Sequence, residues 1–203
     1  MALNANQKSN PKIPLIIDST LEILRDYGEQ GLSMRKVAAK AGMSLGNLQY
    51  YFKNKDELLA GVLDEYFLRC GDHYNAALSE HCPEGRDEML RFLATYGMEY
   101  AESEIGKVFR ELWGIATRND GIQRRLHEYY HVYADEVAKA LAPFAKTAEA
   151  TDRAVSLLIP FYDGYGLLSS PPPLPLDRQT MIEFLVEVVD STLEGKLGGK
   201  RRG

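Results

Sequence analysis

One short stretch of the chain combines residue types and a spacing that suit zinc chemistry. Residues 127–131 read His127-Glu128-Tyr129-Tyr130-His131 and so match the pattern H-E-x-x-H. On a helix the two histidines would share one face and could bind zinc, with the glutamate placed as a general base. A zinc-dependent hydrolase is therefore an alternative for this chain. The simpler interpretation is a pair of exposed histidines on a polar helix face, because the sequence offers no strand and only distant carboxylates as a third ligand.

No other pattern in the chain predicts catalysis. The sequence lacks a G-x-S-x-G turn, a P-loop and a dinucleotide-binding fingerprint. The two cysteines, Cys70 and Cys82, lack the C-x-x-C spacing and are typical of a reducing cytoplasm. We therefore predict no enzyme activity, no metal site and no cofactor.

A concentration of basic side chains indicates a different kind of partner. The 203 residues include 24 Lys and Arg against 29 Asp and Glu, which gives a formal net charge of −5. Residues 33–55 nevertheless contain five basic residues and no acidic one. Because phosphates would repel the acidic remainder of the chain, this segment alone is predicted to meet a polyanion such as DNA.

The elements that position these basic residues are predicted to be short helices. Apolar residues at helical spacing indicate a first helix over 13–27, which Gly28 and Gly31 would end. Ser33 is a suitable N-cap for a second helix. Gly42 fits the left-handed position that would end this second helix.

A third and a fourth helix are predicted after this turn. Ser44 would cap the third helix, and Leu48 and Phe52 lie four residues apart on its inward face. Asn54 would cap the fourth helix, with Glu57 at the capping-box position. Small residues at the start of the third helix would let its backbone approach a major groove, and polar side chains beyond them could reach base edges. The residues predicted to contact DNA are Ser33, Arg35, Ser44, Leu45, Gly46, Asn47, Gln49, Tyr50, Tyr51, Lys53 and Lys55.

The rest of the chain is predicted to be helical as well. No stretch alternates apolar and polar residues as a strand would, and breaks are expected at 81–85 and at the proline-rich 169–175. The apolar runs are too short to span a membrane and the N-terminus resembles no signal sequence, so a cytoplasmic location is expected. The predicted helices beyond the third cover 54–78, 86–103, 105–117, 121–142, 148–168 and 176–193.

Several short segments of the N-terminal region match one protein family. They are Val37-Ala38, Ala41-Gly42-Met43-Ser44, Gly46-Asn47-Leu48, Tyr51-Phe52 and Asn54-Lys55-Asp56-Glu57-Leu58-Leu59. Through them, residues 13–61 resemble the N-terminal domain of the TetR/AcrR family of bacterial transcriptional regulators. The chain departs from the family at Gln49, where the family usually has a tyrosine that commonly contacts phosphate. An amide can also donate to phosphate or read adenine.

The resemblance implies an all-α fold with two domains. A three-helix helix-turn-helix DNA-binding domain would occupy 12–60, with the motif itself at 33–52. A long fourth helix would join it to a larger helical domain for ligand binding and dimerisation at 61–197. Residues 1–11 would form a flexible arm and residues 198–203 a disordered tail.

The resemblance also implies a function and its partners. The chain would be a repressor that binds palindromic double-stranded DNA and is released by a small-molecule effector. A homodimer would form through the helices near 148–168 and 176–193. The apolar faces of these helices could instead fill the core of the monomer, and both interpretations stay open. Those faces carry Leu157, Leu158, Phe161, Tyr165, Met181, Leu185, Val188 and Val189.

Aromatic residues of the middle helices are the expected lining of the effector pocket. An aromatic set with carboxylates, here Glu111 and Asp163, suits a cation or a flat apolar molecule. An aromatic stripe at helical spacing is also typical of an ordinary core. We expect a small, mostly apolar ligand near Trp113. The residues predicted to line the pocket are Tyr66, Phe92, Tyr96, Tyr100, Phe109, Trp113, Tyr129, Tyr133, Phe161 and Tyr162.

Overall fold

A computed structural model describes residues 10–168 and 177–197, and every regular element within these ranges is helical. The predicted all-α fold is thereby confirmed. None of the helices in the described ranges is both long and apolar enough to cross a membrane. In chain order the helices are α1 (Lys12–Gly31), α2 (Met34–Lys40), α3 (Leu45–Tyr51), α4 (Lys55–His81), α5 (Arg86–Glu102), α6 (Glu104–Ala116), α7 (Asp120–Leu141), α8 (Ala148–Leu168) and α9 (Arg178–Leu193), with a 3-10 turn (Ala142–Phe144) between α7 and α8.

The chain folds into two compact units, each built from separate stretches of sequence. The first unit comprises the residues up to His73 together with Lys107–Tyr129. In it, α2 packs against both α1 and α3. The helices α1, α3, α4, α6 and α7 all contribute fully buried side chains, which gives this unit an apolar core of its own. The largest of these side chains are Ile16, Ile17, Leu24, Leu48, Leu58, Leu59, Leu63, Leu112, Ile122 and Leu126.

The second unit comprises Tyr74–Gly106 and the residues from Tyr130 onward. The helices α5, α8 and α9 pack on one another in all three pairs. The end of α4 and most of the second half of α7 also contribute to the core of this unit, through side chains such as Tyr74, Val137 and Leu141. The second unit is therefore a helical bundle with a continuous buried cluster.

The two compact units divide the sequence differently from the domains predicted above. Residues 60 and 61 lie within α4, which belongs to the first unit as far as His73. The first unit also takes in most of α6 and the first part of α7. The functional boundary between residues 60 and 61 stays a prediction. The predicted arm, tail and proline-rich break fall wholly or largely outside the described residues.

Candidate nucleic-acid interface

Two side-chain caps and one left-handed residue hold α2 and α3 as a helix-turn-helix. Ser33 caps α2, and its Oγ accepts a hydrogen bond from the Lys36 N–H at 3.3 Å. Gly42 lies in the turn with a φ of 64°, a conformation that favours glycine. Ser44 caps α3, and its Oγ accepts from the Asn47 N–H at 3.2 Å. Both caps and the turn agree with the sequence prediction.

The third helix is anchored on one face and exposed on the other. Leu48 is fully buried and Phe52, which follows the helix, is 2% exposed, as predicted. Gly46, Gln49 and Tyr50 recur on the opposite face and are exposed, with 82% of Tyr50 accessible. We call these three residues the α3 strip. Its polar and aromatic side chains can meet a partner without any change in the core beneath them.

The two adjacent tyrosines of α3 have different surroundings. Tyr51 is half-buried, and its hydroxyl accepts from Asn10 Nδ2 at 3.5 Å. The two rings meet edge to face with centroids 5.2 Å apart. Tyr50 is therefore the more accessible of the pair, a distinction that residue type alone does not make.

The start of α4 carries two lysines beside a capping box. Asn54 Oδ1 accepts from the Glu57 N–H at 2.9 Å, and the Glu57 carboxylate accepts from the Lys53 N–H at 2.9 Å. The predicted capping box is present, although its return bond reaches the residue before the cap. The Lys53 side chain is exposed and Lys55 is half-buried. The exposed Lys53 ammonium and the positive end of the helix dipole favour an anion there, whereas Asp56 and Glu57 of the first turn oppose it.

Lys55 is tied to the rest of the first unit through Glu29. Its Nζ lies 3.4 Å from Glu29 Oε1, and Arg118 Nη2 lies 2.7 Å from Glu29 Oε2. The hydrogen bond from Arg118 and the nearby charge of Lys55 lower the pKa of Glu29, so this carboxylate stays ionised at neutral pH. Arg35 and Lys36 of α2, in contrast, are exposed and form no ion pair with any described residue. These two basic side chains are therefore available to a polyanion.

Glu111 of α6 also contacts the end of α1, next to the ion pairs of Glu29. Gly28 has a φ of 63° and a ψ of −171°, which breaks α1 within its bounds. The Glu29 N–H beyond this break donates to Glu111 Oε2 at 3.1 Å. A Cβ added at Gly28 would lie 2.9 Å from the same oxygen. Glu111 thus bonds to the α1 backbone, a role that the sequence analysis missed because no local pattern indicates it.

This helix-turn-helix is shared with known proteins. The sequence profile of "Bacterial regulatory proteins, tetR family" matches residues 16–62. An "Uncharacterized HTH-type transcriptional regulator in dhlA 5'region" of Xanthobacter autotrophicus is 43% identical over 190 residues, which cover 90% of each chain. The chain belongs to the TetR family.

More distantly related proteins are also similar to this TetR-family chain. "HTH-type transcriptional regulator BetI" of Burkholderia cenocepacia (strain HI2424) is 25% identical over 186 residues, which cover 88% of this chain and 92% of BetI. A solved TetR-family structure from Mesorhizobium loti matches with a TM-score of 0.71 at 16% identity, over 90% of this chain and 95% of the other. The similarity to this solved structure shows that the two chains share a fold. The chain is therefore a DNA-binding transcriptional regulator and not an enzyme, which excludes the zinc-dependent hydrolase.

The H-E-x-x-H segment of this TetR-family chain lies on an exposed part of α7. His127 and His131 are both exposed, and the His127 ring lies 6.1 Å from the ring of Trp113. Within residues 10–168 and 177–197, no group of three or more His, Cys, Asp or Glu side chains is placed to hold a metal ion. The exposure of both histidines agrees with the simpler interpretation of this segment.

The aromatic residues predicted to line one pocket are divided between the two units. The first unit holds Tyr66, Phe109, Trp113 and Tyr129, and there the ring of Phe67 stacks on Tyr129 with centroids 4.0 Å apart. Whether either set binds an effector stays a prediction. The second unit holds Phe92, Tyr96, Tyr100, Tyr133, Phe161 and Tyr162.

Tyr74 joins the aromatic residues of the second unit, although the sequence prediction omitted it. Its ring centroid lies 5.4 Å from that of Tyr96 and 6.2 Å from that of Phe92. Tyr66, Cys70 and Tyr74 follow one another at intervals of four residues on α4, and all three are buried. Helical spacing is therefore the sequence signal that identifies Tyr74.

Proposed function

We propose that this TetR-family chain is a repressor that binds palindromic double-stranded DNA as a homodimer and leaves it when a small-molecule effector binds. The observation that carries this proposal is the exposed α3 strip, which rests on the buried Leu48 and Phe52. A short helix held in this way can enter a major groove with its backbone geometry already fixed.

The proposed DNA contacts fall into three groups. Ser44, Leu45 and Gly46 would let the start of α3 approach the groove closely. Side chains on both sides of α3 would bind phosphates. They are Ser33, which caps α2, and the basic residues Arg35 of α2, Lys53 just before α4 and Lys55 of α4. The exposure of Ser33, Arg35 and Lys53 and the helix dipole of α4 support this assignment. The side chains proposed to reach base edges or phosphates from α3 are Asn47, Gln49, Tyr50 and Tyr51.

The proposed homodimer would form through α8 and α9. The apolar faces of these helices were expected either to meet a partner or to fill the core. Three of their residues are buried within the second unit, namely Leu158, Leu185 and Val189. Leu157 of α8 is 36% exposed and Phe184 of α9 is 58% exposed, and these apolar side chains support an interface with a second copy.

In this proposal, residues 12–60 bind DNA in the cytoplasm, and residues 61–197 bind the effector and the second subunit. Effector binding would shift the dimer between two geometries, move α4 and change the spacing of the two α3 helices. The contact between Glu111 and the backbone of Glu29 supports such a coupling, because it connects α6 directly to α1.

Transcription from purified components tests repression directly. A selected DNA site would be placed across a promoter, and the transcript would be measured as the protein is added. We expect the transcript to fall as the site saturates, and Tyr50→Ala to leave it near the level without protein. Val132→Ala changes an exposed apolar residue of α7 and serves as the control. A transcript that rises with occupancy would identify an activator and contradict the proposal.

A further inference from the structure

One buried hydroxyl of the second unit has no hydrogen-bond partner. Tyr74 of α4 is 6% exposed, and its hydroxyl is unpartnered within the described residues. The rings around it are Tyr96 at 5.4 Å, Phe92 at 6.2 Å and Tyr133 at 6.5 Å between centroids. We call these four residues the aromatic cluster. A buried hydroxyl without a partner lowers stability, and a bound molecule that hydrogen-bonds to it would remove that penalty.

Asp163 of α8 supplies a carboxylate close to Tyr133 of this cluster. It accepts a hydrogen bond from the Tyr130 hydroxyl and forms no ion pair with a basic side chain in the described ranges. The side chain keeps contact with solvent, but neighbouring atoms displace enough water to raise its pKa. The adjacent Tyr162 is already engaged, because its hydroxyl donates to the Leu93 carbonyl at 2.9 Å. Asp163 is thus the carboxylate that a bound cation could use.

The aromatic cluster opposes any added negative charge. Burial, helped by the carboxylate of Glu136, raises the pKa of Tyr74 to about 12. Burial, with Tyr74, Tyr96 and Asp163 as neighbours, also raises the pKa of Tyr133. Burial disfavours a charge of either sign, whereas the neighbouring carboxylates of Glu136 and Asp163 oppose an anion and favour a cation. A cation would also gain from the ring faces.

We propose that the aromatic cluster binds an organic cation with an apolar body. The apolar body lies among the rings, and the ammonium group donates to the Tyr74 hydroxyl and to the Asp163 carboxylate. The role of this cation as the effector rests on the proposed function. The binding of the cation to the aromatic cluster does not depend on that function. This inference places the ligand in the second unit, whereas Trp113 belongs to the first.

A matched set of probes tests the charge preference. Calorimetric titration of the full chain at neutral pH would compare 4-phenylbutylamine, 4-phenylbutanol and 4-phenylbutyrate, which share one skeleton. We expect the amine to bind about tenfold more tightly than the carboxylate, with the alcohol between them. Absence of amine binding, or equal affinity for amine and carboxylate, overturns the proposal.

Two substitutions test the assigned residues. Asp163→Asn is expected to weaken amine binding about tenfold and to leave the alcohol within about twofold, because only the amine is charged. Tyr74→Phe is expected to weaken the amine about fivefold without lowering the melting temperature of the unliganded chain, since the lost hydroxyl has no partner. Asp152→Asn on α8 and Tyr27→Phe on α1 are exposed controls. An amine affinity unchanged by both test substitutions overturns the assignment.

Separate measurements test the cation site and the proposed function. DNA binding by the same preparation would be recorded with and without the amine. If the chain binds a palindrome but the amine fails the tests above, the cation site is overturned and the repressor stands. If the amine binds through Asp163 but the chain selects no DNA, the repressor is overturned and the site stands.

Discussion

Neighbouring residues of α3 have different surroundings, and these decide what each side chain can do. Leu48 is buried and fixes the helix, whereas Gln49 and Tyr50 are exposed. Asn47 is half-buried, and its N–H is held by the cap at Ser44. The cap fixes the backbone that carries Asn47, so less conformational freedom is lost when its side chain contacts a base. In the proposed complex Asn47 would read sequence, while the surrounding lysines would contribute affinity.

Asn47 and Lys55 are expected to respond differently to truncation. Asn47→Ala should weaken binding to the selected DNA site by about 1–3 kcal/mol and leave random DNA nearly unchanged. Lys55→Ala should weaken both DNAs by similar factors and reduce the salt slope by about 1. Fluorescence anisotropy at several salt concentrations measures both effects. The control is Lys139→Ala, which changes an exposed lysine of α7. Equal losses on specific and random DNA for Asn47→Ala would remove its base-reading role.

Among the elements, the sequence predicts helices and caps more fully than contacts between distant helices. Ser33, Ser44 and Asn54 accept hydrogen bonds from residues three positions further along, so residue type and spacing are sufficient to predict these caps. The bond between Glu29 and Glu111 joins residues 82 positions apart. It depends on how α6 packs against α1, which no periodicity in either helix specifies.

The same distinction applies to the candidate sites. The exposed α3 strip follows from the buried positions of Leu48 and Phe52, because helical periodicity fixes the opposite face once one face is known. The aromatic residues show the same periodicity whether they line a pocket or fill a core, so their division between two units could not be predicted from spacing.

The hydrogen bond from the Glu29 N–H of α1 to Glu111 of α6 forms a junction between these helices, and we expect it to contribute to stability. Glu111→Ala would leave the Glu29 N–H without its acceptor and should lower the free energy of unfolding by about 1–3 kcal/mol. Urea denaturation measures this loss, and hydrogen exchange should show a less protected Glu29 amide. Glu128→Ala changes an exposed glutamate of α7 and is the control. Unchanged unfolding together with an unchanged Glu29 amide would show that the junction contributes nothing.

The packing of α5 against α8 is expected to depend on Gly97. A Cβ at this position would lie 2.3 Å from the Tyr162 ring, which is held by the bond from its hydroxyl to the Leu93 carbonyl. Gly97→Ala should therefore lower the free energy of unfolding by about 1–3 kcal/mol. Gly164→Ala on α8 meets nothing within 4 Å and should stabilise the chain slightly in the same denaturation experiment. A Gly97→Ala variant as stable as Gly164→Ala would contradict this packing.

On the scale of the whole molecule, the exposed apolar residues of α8 and α9 bear on assembly. Phe184→Glu would place a charge on the proposed dimer interface and should weaken association by about 2–4 kcal/mol. Sedimentation equilibrium measures the monomer–dimer constant. Val132→Glu alters an apolar residue of α7 that is 61% exposed and is the matched control. A parent chain that stays monomeric, or a Phe184→Glu variant that dimerises normally, would argue against this interface.

The proposed function requires that two copies of α3 read one palindrome. Selection of bound DNA from a random pool, with the purified full chain, is the experiment that distinguishes this from other binding modes. We expect enrichment of an inverted repeat whose half-sites lie about 34–36 Å apart, or a multiple of that helical repeat, with two subunits bound to each site. No enriched sequence, or a single asymmetric site bound by one subunit, would contradict it.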